Sequence, residues 1–458
     1  LRRFSRGCKI RKLEYNNILI MKVLWAFVFT VGFGWAVELS VSDVLQKALE
    51  NNREIKAMQR EISAGRLELR SARGAYYPRI KLEENFTRTD IPAYAFMGRL
   101  NQGRITMQDF DPNKLNNPSA INNFETKIGL EIPIWLGGKI QAGERLARLN
   151  LSILQRENIR KKEDVALKVY EAYGDAVLAK MAVDVSKQAL ESAQEHQRLA
   201  EETYKVGMAL LSDVFRAKVY VEKARERLFA SQKDYETAKK ALELVVGTSL
   251  GDFDVVDIKE CPAVELKGLK ETALQRREDL KAMYERAKLF NEYYNLELSN
   301  NLPQVYAGGF YSLNSKDFPF GADGRGYMLM LGISWSFDTG LSTLNKARAH
   351  LERKKALEER IKGMEELISF EVDRAKADYE KAFSALNSAR ERIKASEEVL
   401  RVMQVRYRNG LARMVDILDA QTELDMAKLE EVKALVDCWK AYARLKHSMG
   451  TILEEVQR

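Results

Sequence analysis

The sequence uses one unit twice, and any fold must accommodate that repeat. Tyr204 to Val221 (YKVGMALLSDVFRAKVYV) superposes on Tyr407 to Leu424 (YRNGLARMVDILDAQTEL) at an offset of 203 residues, aligning Tyr204 with Tyr407, Gly207 with Gly410, Asp213 with Asp416 and Ala217 with Ala420. The register holds at Gly129 and Gly332, Gly137 and Gly340, and Gly247 and Gly450. Upstream the offset becomes 225, where Lys56-Ala57-Met58 meets Lys281-Ala282-Met283 and Pro78 meets Pro303. The extra 22 residues therefore fall between Pro78 and Gly129, as a longer loop in the first copy. Such self-similarity fixes the architecture before any local reading does.

Each copy changes its hydrophobic period twice. Val41 to about Tyr76 has a helical pattern with Val44, Leu45, Ala48 and Leu49 on one face, and Pro78 ends it. Period two follows: Ile80, Leu82 and Phe86 alternate with Lys81, Glu83 and Asn85, and Phe124, Thr126, Ile128, Leu130, Ile132 and Ile134 alternate with Glu125, Lys127, Gly129 and Glu131. These predict strands at about 79–90 and 122–135, around a surface loop from Thr89 to Asn123 rich in Asn, Pro, Gly and Asp. The second copy predicts strands at about 305–314 and 327–338, with Leu329, Leu331, Ile333, Trp335 and Phe337 on one face. Then come two Pro-free helical runs, from about Lys139 to Val206 and from about Leu344 to Arg408. Nearly 70 residues at about 1.5 Å each give roughly 100 Å of helix. After a Gly turn a partner of about 35 residues returns, Ser212 to Val246 and Val415 to Met449. The shorter helix opening each copy can stack end to end on that partner.

The resulting domain plan is a leader at 1–36, a first repeat at 37–250, a linker at 251–265, a second repeat at 266–450 and a tail at 451–458. Met21-Lys22, the apolar run Val23 to Phe33 and Gly34-Trp35-Ala36 read as a signal peptide, with Met21 a candidate start. The leader carries seven basic and one acidic side chain of the chain's 74 and 66, so 67 and 65 remain. That near-neutral balance argues against a nucleic-acid binder. Cys261 and Cys438 are read as incidental thiols. His196, His350 and His447 are widely spaced and read as packing or surface residues, no nucleophile is paired with a base, and no cofactor fingerprint is present. An enzyme, a cofactor and a resident metal are therefore not expected.

Four strands cannot close a barrel. An apolar face opposite a polar one suits a membrane barrel, which cannot leave an edge unpaired, so several copies must supply it together. Tyr407-Arg408-Asn409-Gly410 followed by Val415-Asp416-Ile417-Leu418-Asp419-Ala420-Gln421, with its degenerate copy and the strand insertions, resembles the TolC-like outer-membrane efflux proteins over about Val41 to Gly450. The resemblance implies a mainly α protein with a membrane β-barrel part. It implies a homotrimer with a 12-stranded outer-membrane barrel in lipid and a long α-helical periplasmic tunnel. The implied partners are a periplasmic adaptor and an inner-membrane transporter, and the implied cargo is drugs and other small toxic molecules. Type I protein secretion and metal efflux remain alternatives within that class, and a secreted coiled-coil scaffold with no channel is the alternative outside it.

The same resemblance places a periplasmic gate at Asp416 and Asp419, one helical turn apart. It assigns gate-stabilising roles to Asp213, Tyr407, Tyr204 and Arg413. The family's gate-holding Arg falls at Ala412 here, with Arg413 beside it, so the latch departs from the pattern. Gly207 and Gly410 are expected in left-handed turns. Met208, Leu210, Leu211 and Leu411 beside them are expected where an adaptor docks. A helix cap or a solvated face accounts for any one of these aspartates equally well, and Asp213 and Asp416 can do both.

Overall fold

The computed structural model of the protein describes residues 37–456, so the expected leader and signal peptide at 1–36 lie outside the described residues. The first copy opens with a short strand β1 (Val37–Leu39) and helices α1 (Val41–Asn51) and α2 (Arg53–Gly74). Strand β2 (Arg79–Thr89), helices α3 (Pro92–Asn101) and α4 (Pro112–Asn116), and strand β3 (Ile121–Leu136) follow. The long helix α5 (Lys139–Lys205) and the returning α6 (Leu211–Val246) complete it. A linker strand β4 (Phe253–Val255) leads to α7 (Leu269–Arg276), α8 (Glu278–Leu298), β5 (Gln304–Ser315), β6 (Gly324–Ser334), α9 (Ser342–Arg408) and α10 (Met414–Ser448). Helices α5 and α9 are each 67 residues long.

The four long strands form one antiparallel sheet in the order β2-β3-β5-β6. Paired residues share a face, so Ile80, Leu82, Phe86, Ile128, Leu130, Tyr311, Tyr327, Leu329, Leu331 and Ile333 lie together on one side. That side is bare: Leu329 is 80% and Ile80 77% exposed. Glu84 interrupts it and takes a hydrogen bond from the Thr126 hydroxyl. The other face carries Lys81 paired with Glu131 at 2.8 Å and Lys127 with Glu125 at 3.2 Å. Strands β2 and β6 are edges with no partner among the described residues. Among the described residues, no helix is long and apolar enough to cross a membrane. The alternation of Trp335 and Phe337 continues past the sixth strand, which ends at Ser334, and the Trp335 indole donates to the Asn301 carbonyl at 3.0 Å. The stretch between β2 and β3 is not a bare loop as expected. Pro92 and Pro112 each occupy a first helical turn, where the missing N–H costs nothing, and they start α3 and α4.

End-to-end stacking of short on returning helices is built at Asn52. Its Oδ1 caps α2 by accepting from the Glu54 and Ile55 amides at 2.9 and 3.4 Å, while its Nδ2 donates to the Val245 carbonyl at the end of α6, 2.8 Å away. Along α9, Ile361, Ile368, Val372, Tyr379, Leu386 and Ala389 are buried and form its packing stripe. Around the middle of the bundle the linker forms a strap. Parallel β1–β4 pairing starts it, the Tyr173 hydroxyl bonds the Leu39 and Val256 carbonyls at 2.9 Å, and the Tyr379 hydroxyl bonds the Pro262 carbonyl at 2.8 Å.

The reading of Cys261 and Cys438 as incidental thiols is overturned. They form a disulfide that fastens the strap to α10. Sequence distance hid the pair, because the two residues stand 177 positions apart and only the strap's course brings them together. On the chain-entropy account a loop of that length contributes up to about 5 kcal/mol. The Cys261→Ser/Cys438→Ser variant is therefore expected to lower the thermal midpoint markedly in non-reducing buffer and to match the reduced wild type. An unchanged midpoint would mean that the tyrosine bonds and the β1–β4 pairing hold the strap unaided.

Candidate functional site at the hairpin tips

The two helical hairpins, α5–α6 and α9–α10, end in turns of the same construction. At the first, Gly207 has φ +76°, its amide donates to the Tyr204 carbonyl at 3.0 Å, and the Met208 amide donates to the Thr203 carbonyl at 2.9 Å. At the second, Gly410 has φ +69°, with Gly410 bonded to Tyr407 at 2.9 Å and Leu411 to Arg406 at 2.8 Å. This double bond pattern closes a helix C-terminus and needs a left-handed residue, for which Gly has no Cβ penalty. The turns push Met208, Leu210, Leu211 and Leu411 outward, Leu411 to 73% exposure.

The returning helices start on the two aspartates. Asp213 stands at the third position of α6 and accepts from the Leu210 amide at 3.4 Å, and Asp416 stands at the third position of α10 and accepts from the Arg413 amide at 2.7 Å. Each takes up one of the otherwise unpaired donors at a helix start. The Arg413 amide bond, followed by the Arg413 charge, holds the Asp416 carboxyl below the usual carboxylate range. Arg413 itself is exposed and reaches Asp416 of its own turn at 3.5 Å. Asp419 is exposed one turn further along, and Tyr204 is exposed on the other hairpin.

Tyr407 is buried rather than turned out. Its hydroxyl shares a 3.0 Å hydrogen bond with that of Thr203, joining the last turns of α9 and α5, while Asp213 is engaged at its own helix start. Around Tyr407 the four helices build one apolar cluster from Ala200, Ala217, Leu400, Met414, Ile417, Leu418, Ala420 and Leu424. Within one chain the two tips are therefore packed as a unit.

Three turns above the tip, a buried polar chain crosses from hairpin to hairpin. His196 Nε2 on α5 pairs with Gln421 Oε1 at 3.1 Å, Gln421 Nε2 donates to Asp425 Oδ1 at 2.8 Å, and the Tyr220 hydroxyl on α6 donates to Asp425 Oδ2 at 3.1 Å. His196, Gln421 and Asp425 are each about 5% exposed or less. Burial raises the Asp425 carboxyl despite the bonds from Gln421 and Tyr220 and the nearby charges of Lys428 and Arg227, and burial beside Asp425 pushes Tyr220 up to about 12. A cleft of about 280 Å³ opens beside this chain, where Arg216, Lys223 and Arg227 of α6 share the walls with Asp419 and Asp425 of α10.

Sequence reasoning missed Arg216, Gln421 and Asp425 and read His196 as packing only. A signal for Arg216 was available: at the 203-residue offset it occupies the position of Asp419, so the repeat itself places opposite charges on equivalent turns. His196 and Asp425 align with Val399 and Glu222, so the duplication carries no trace of the chain that links them through Gln421.

A sheet with an exposed apolar face and two open edges, continued by helical hairpins whose longer arms are about 100 Å, defines a channel-tunnel class of protein. The sequence profile of the outer membrane efflux protein family matches residues 44–248 and 269–451, and the chain belongs to that family. It is thereby an outer-membrane efflux channel reaching into the periplasm. The toluene efflux pump outer membrane protein TtgC of Pseudomonas putida is 22% identical over 433 residues, covering 88% of this chain and 82% of that protein. The antibiotic efflux pump outer membrane protein ArpC of Pseudomonas putida is 22% identical with the same coverage. In fold the chain is similar to CusC, with TM-score 0.76, 16% identity and coverage of 91% of this chain and 93% of that one. The open state of the Neisseria gonorrhoeae MtrE outer membrane channel matches with TM-score 0.71, 17% identity and coverage of 90% and 89%.

The raised Asp425 carboxyl gives a signed pH dependence. The fold favours its protonated form, so its contribution is fully present below the ordinary carboxylate range and is lost as pH rises through the raised value. Asp425→Asn, which can still accept from Gln421 and bond Tyr220, is expected to raise the thermal midpoint at pH 8 and to change it little at pH 4. An equal effect at both pH values would show that the ionised carboxylate costs the junction nothing.

Proposed function

We propose that three copies assemble into a passive exit duct, each giving four strands to a 12-stranded barrel and two hairpins to a periplasmic tunnel gated at the tips. The observation that carries this reading is the sheet: its two 11-residue edge strands lack partners, and its apolar face is bare. In lipid an unpaired strand edge is untenable, and edge-to-edge closure by further copies of the chain satisfies both edges at once. The cargo is small toxic compounds, in keeping with the toluene and antibiotic pumps named among the relatives. A periplasmic adaptor docks on the exposed apolar tip around Gly207, Met208, Leu210, Leu211, Gly410 and Leu411, and an inner-membrane transporter loads the duct.

Asp416 and Asp419 form the gate, a ring of six carboxylates in three chains whose mutual repulsion the tip contacts must offset. Tyr407, Asp213, Tyr204 and Arg413 hold it closed, Tyr407 through its bond to Thr203 and Arg413 through Asp416. Single-channel recording in planar bilayers tests the gate. Asp416→Ala/Asp419→Ala is expected to abolish block by divalent cations added on the tip side, and Tyr407→Phe, which loses about 1 kcal/mol of hydrogen bonding per chain, to raise the open fraction. Block that survives in the double variant would remove the two aspartates from the gate, and an unchanged open fraction in Tyr407→Phe would remove the Tyr407 latch.

A further inference from the structure

Below the sheet, four helices lie side by side in the order α2, α5, α8, α9. Polar contacts join each to the next: Arg73 to Glu144 at 3.0 Å, Arg156 to Glu285 at 2.7 Å, and Tyr284 to Glu365. A cavity of about 780 Å³ is lined by residues of all four helices. In a flat layer, with axes about 8–10 Å apart, the outer two would stand roughly 24–30 Å from each other. One cavity reaches all four only where the layer curves around it. The cavity is therefore on the concave side, which in a tunnel of three copies is the lumen. Its lining residues Asn150 and Glu157 lie about 16 and 27 Å along α5 from the end nearest the strands.

The floor of the cavity is apolar, made by Met283, Leu289, Phe290 and Tyr293 of α8 with Ile153 and Leu154 of α5. The Tyr293 ring is stacked on His350 with 5.3 Å between centroids, and the Phe290 ring lies 6.4 Å from it. The walls are charged. Glu157 and Arg286 pair with each other between α5 and α8, so their charges cancel. Arg353 and Arg360 of α9 are different: both are exposed, and neither has an ion pair or hydrogen bond among the described residues. Their neighbours Lys354, Lys355 and Lys362 each pair with a glutamate of the same helix. Arg353 and Arg360 stand two turns apart on one face, about 10.5 Å along the axis, and Ala356 between them leaves the space open. Glu68 belongs to α2 on the far wall, which leaves the α9 wall basic.

The geometry points to a binding site in the tunnel wall for an amphipathic anion. A flat apolar ring system lies on Phe290 and Tyr293, and its carboxylate or sulfonate is held between Arg353 and Arg360. This rests on the exit duct proposed above and narrows its cargo. A cavity of this volume takes a drug-sized molecule, with apolar walls supplying most of the contact and a few polar groups fixing the orientation. The guanidinium groups suit the charged end, because their planar donors match the oxygens of such an anion. A cation is repelled by the α9 wall, and an anion without a ring leaves the apolar floor in water. Three copies place three such sites in a ring on the lumen.

Equilibrium dialysis of the detergent-extracted three-copy species against naphthalene-2-sulfonate, with detergent micelles alone as the blank, tests the site. Saturable binding of one ligand per chain is expected, weakening as salt is raised and absent for the matching cation 2-naphthylmethylammonium. Arg353→Gln/Arg360→Gln is expected to bind about tenfold more weakly while assembling as the wild type does. Ala356→Trp, which fills the space between the arginines, is expected to lose the binding with both guanidinium groups still in place. A three-copy species with no saturable binding, or binding unchanged in either variant, would overturn the site and leave the exit duct standing. Absence of any three-copy species would overturn both.

Discussion

The structure depends on the hydrogen-bonding demand of a strand edge. In water an edge is satisfied by solvent, but in hydrocarbon each orphaned amide or carbonyl costs several kcal/mol. Strands β2 and β6 leave such edges on either side of one four-stranded sheet whose outward face is Ile80, Leu82, Leu329, Leu331 and Ile333. That combination is stable in lipid once the edges of neighbouring copies meet. In the proposed assembly the demand then passes to the helices: copies joined at the sheet would also run side by side along helices of about 100 Å.

Those hairpins are held by two kinds of contact. Apolar stripes pack along their length, and specific polar devices fix their ends and middle. Asn52 joins α6 to α2, the strap with Tyr173, Tyr379 and the Cys261–Cys438 bond girdles the middle, and Thr203–Tyr407 closes the tips. The His196–Gln421–Asp425–Tyr220 chain ties the two hairpins to each other, so movement of one tip against the other must break buried hydrogen bonds. Left unpaired, such groups cost about 1–3 kcal/mol each, so a gate of the kind proposed above would have two distinct states rather than a gradual bend.

Much of this was legible in the sequence because it is periodic. The 203-residue offset, the change from helical to two-residue spacing and the Pro-free runs together dictate long helices around a sheet, and the Gly207 and Gly410 turns follow from the residue type alone. The rest depends on meetings between distant residues that leave no periodic mark. Cys261 reaches Cys438 because the strap crosses α10, and His196 reaches Gln421 because α10 packs on α5. Helix α3 was hidden by a composition rich in Asn, Pro and Gly that reads as loop, although Pro92 is a helix-start residue in that position. At the tip, the expected latch residue Arg413 turns to its own Asp416, and Arg216, its charge opposite to that of the equivalent Asp419, lines the cleft instead.

The native mass of the mature protein, extracted from outer membranes and corrected for bound detergent, tests the account at its root. Edge-to-edge closure predicts three chains per particle. A monomer or dimer released without detergent would contradict it, since the edges would then be satisfied by solvent and the bare apolar face of the sheet would have to be stable in water.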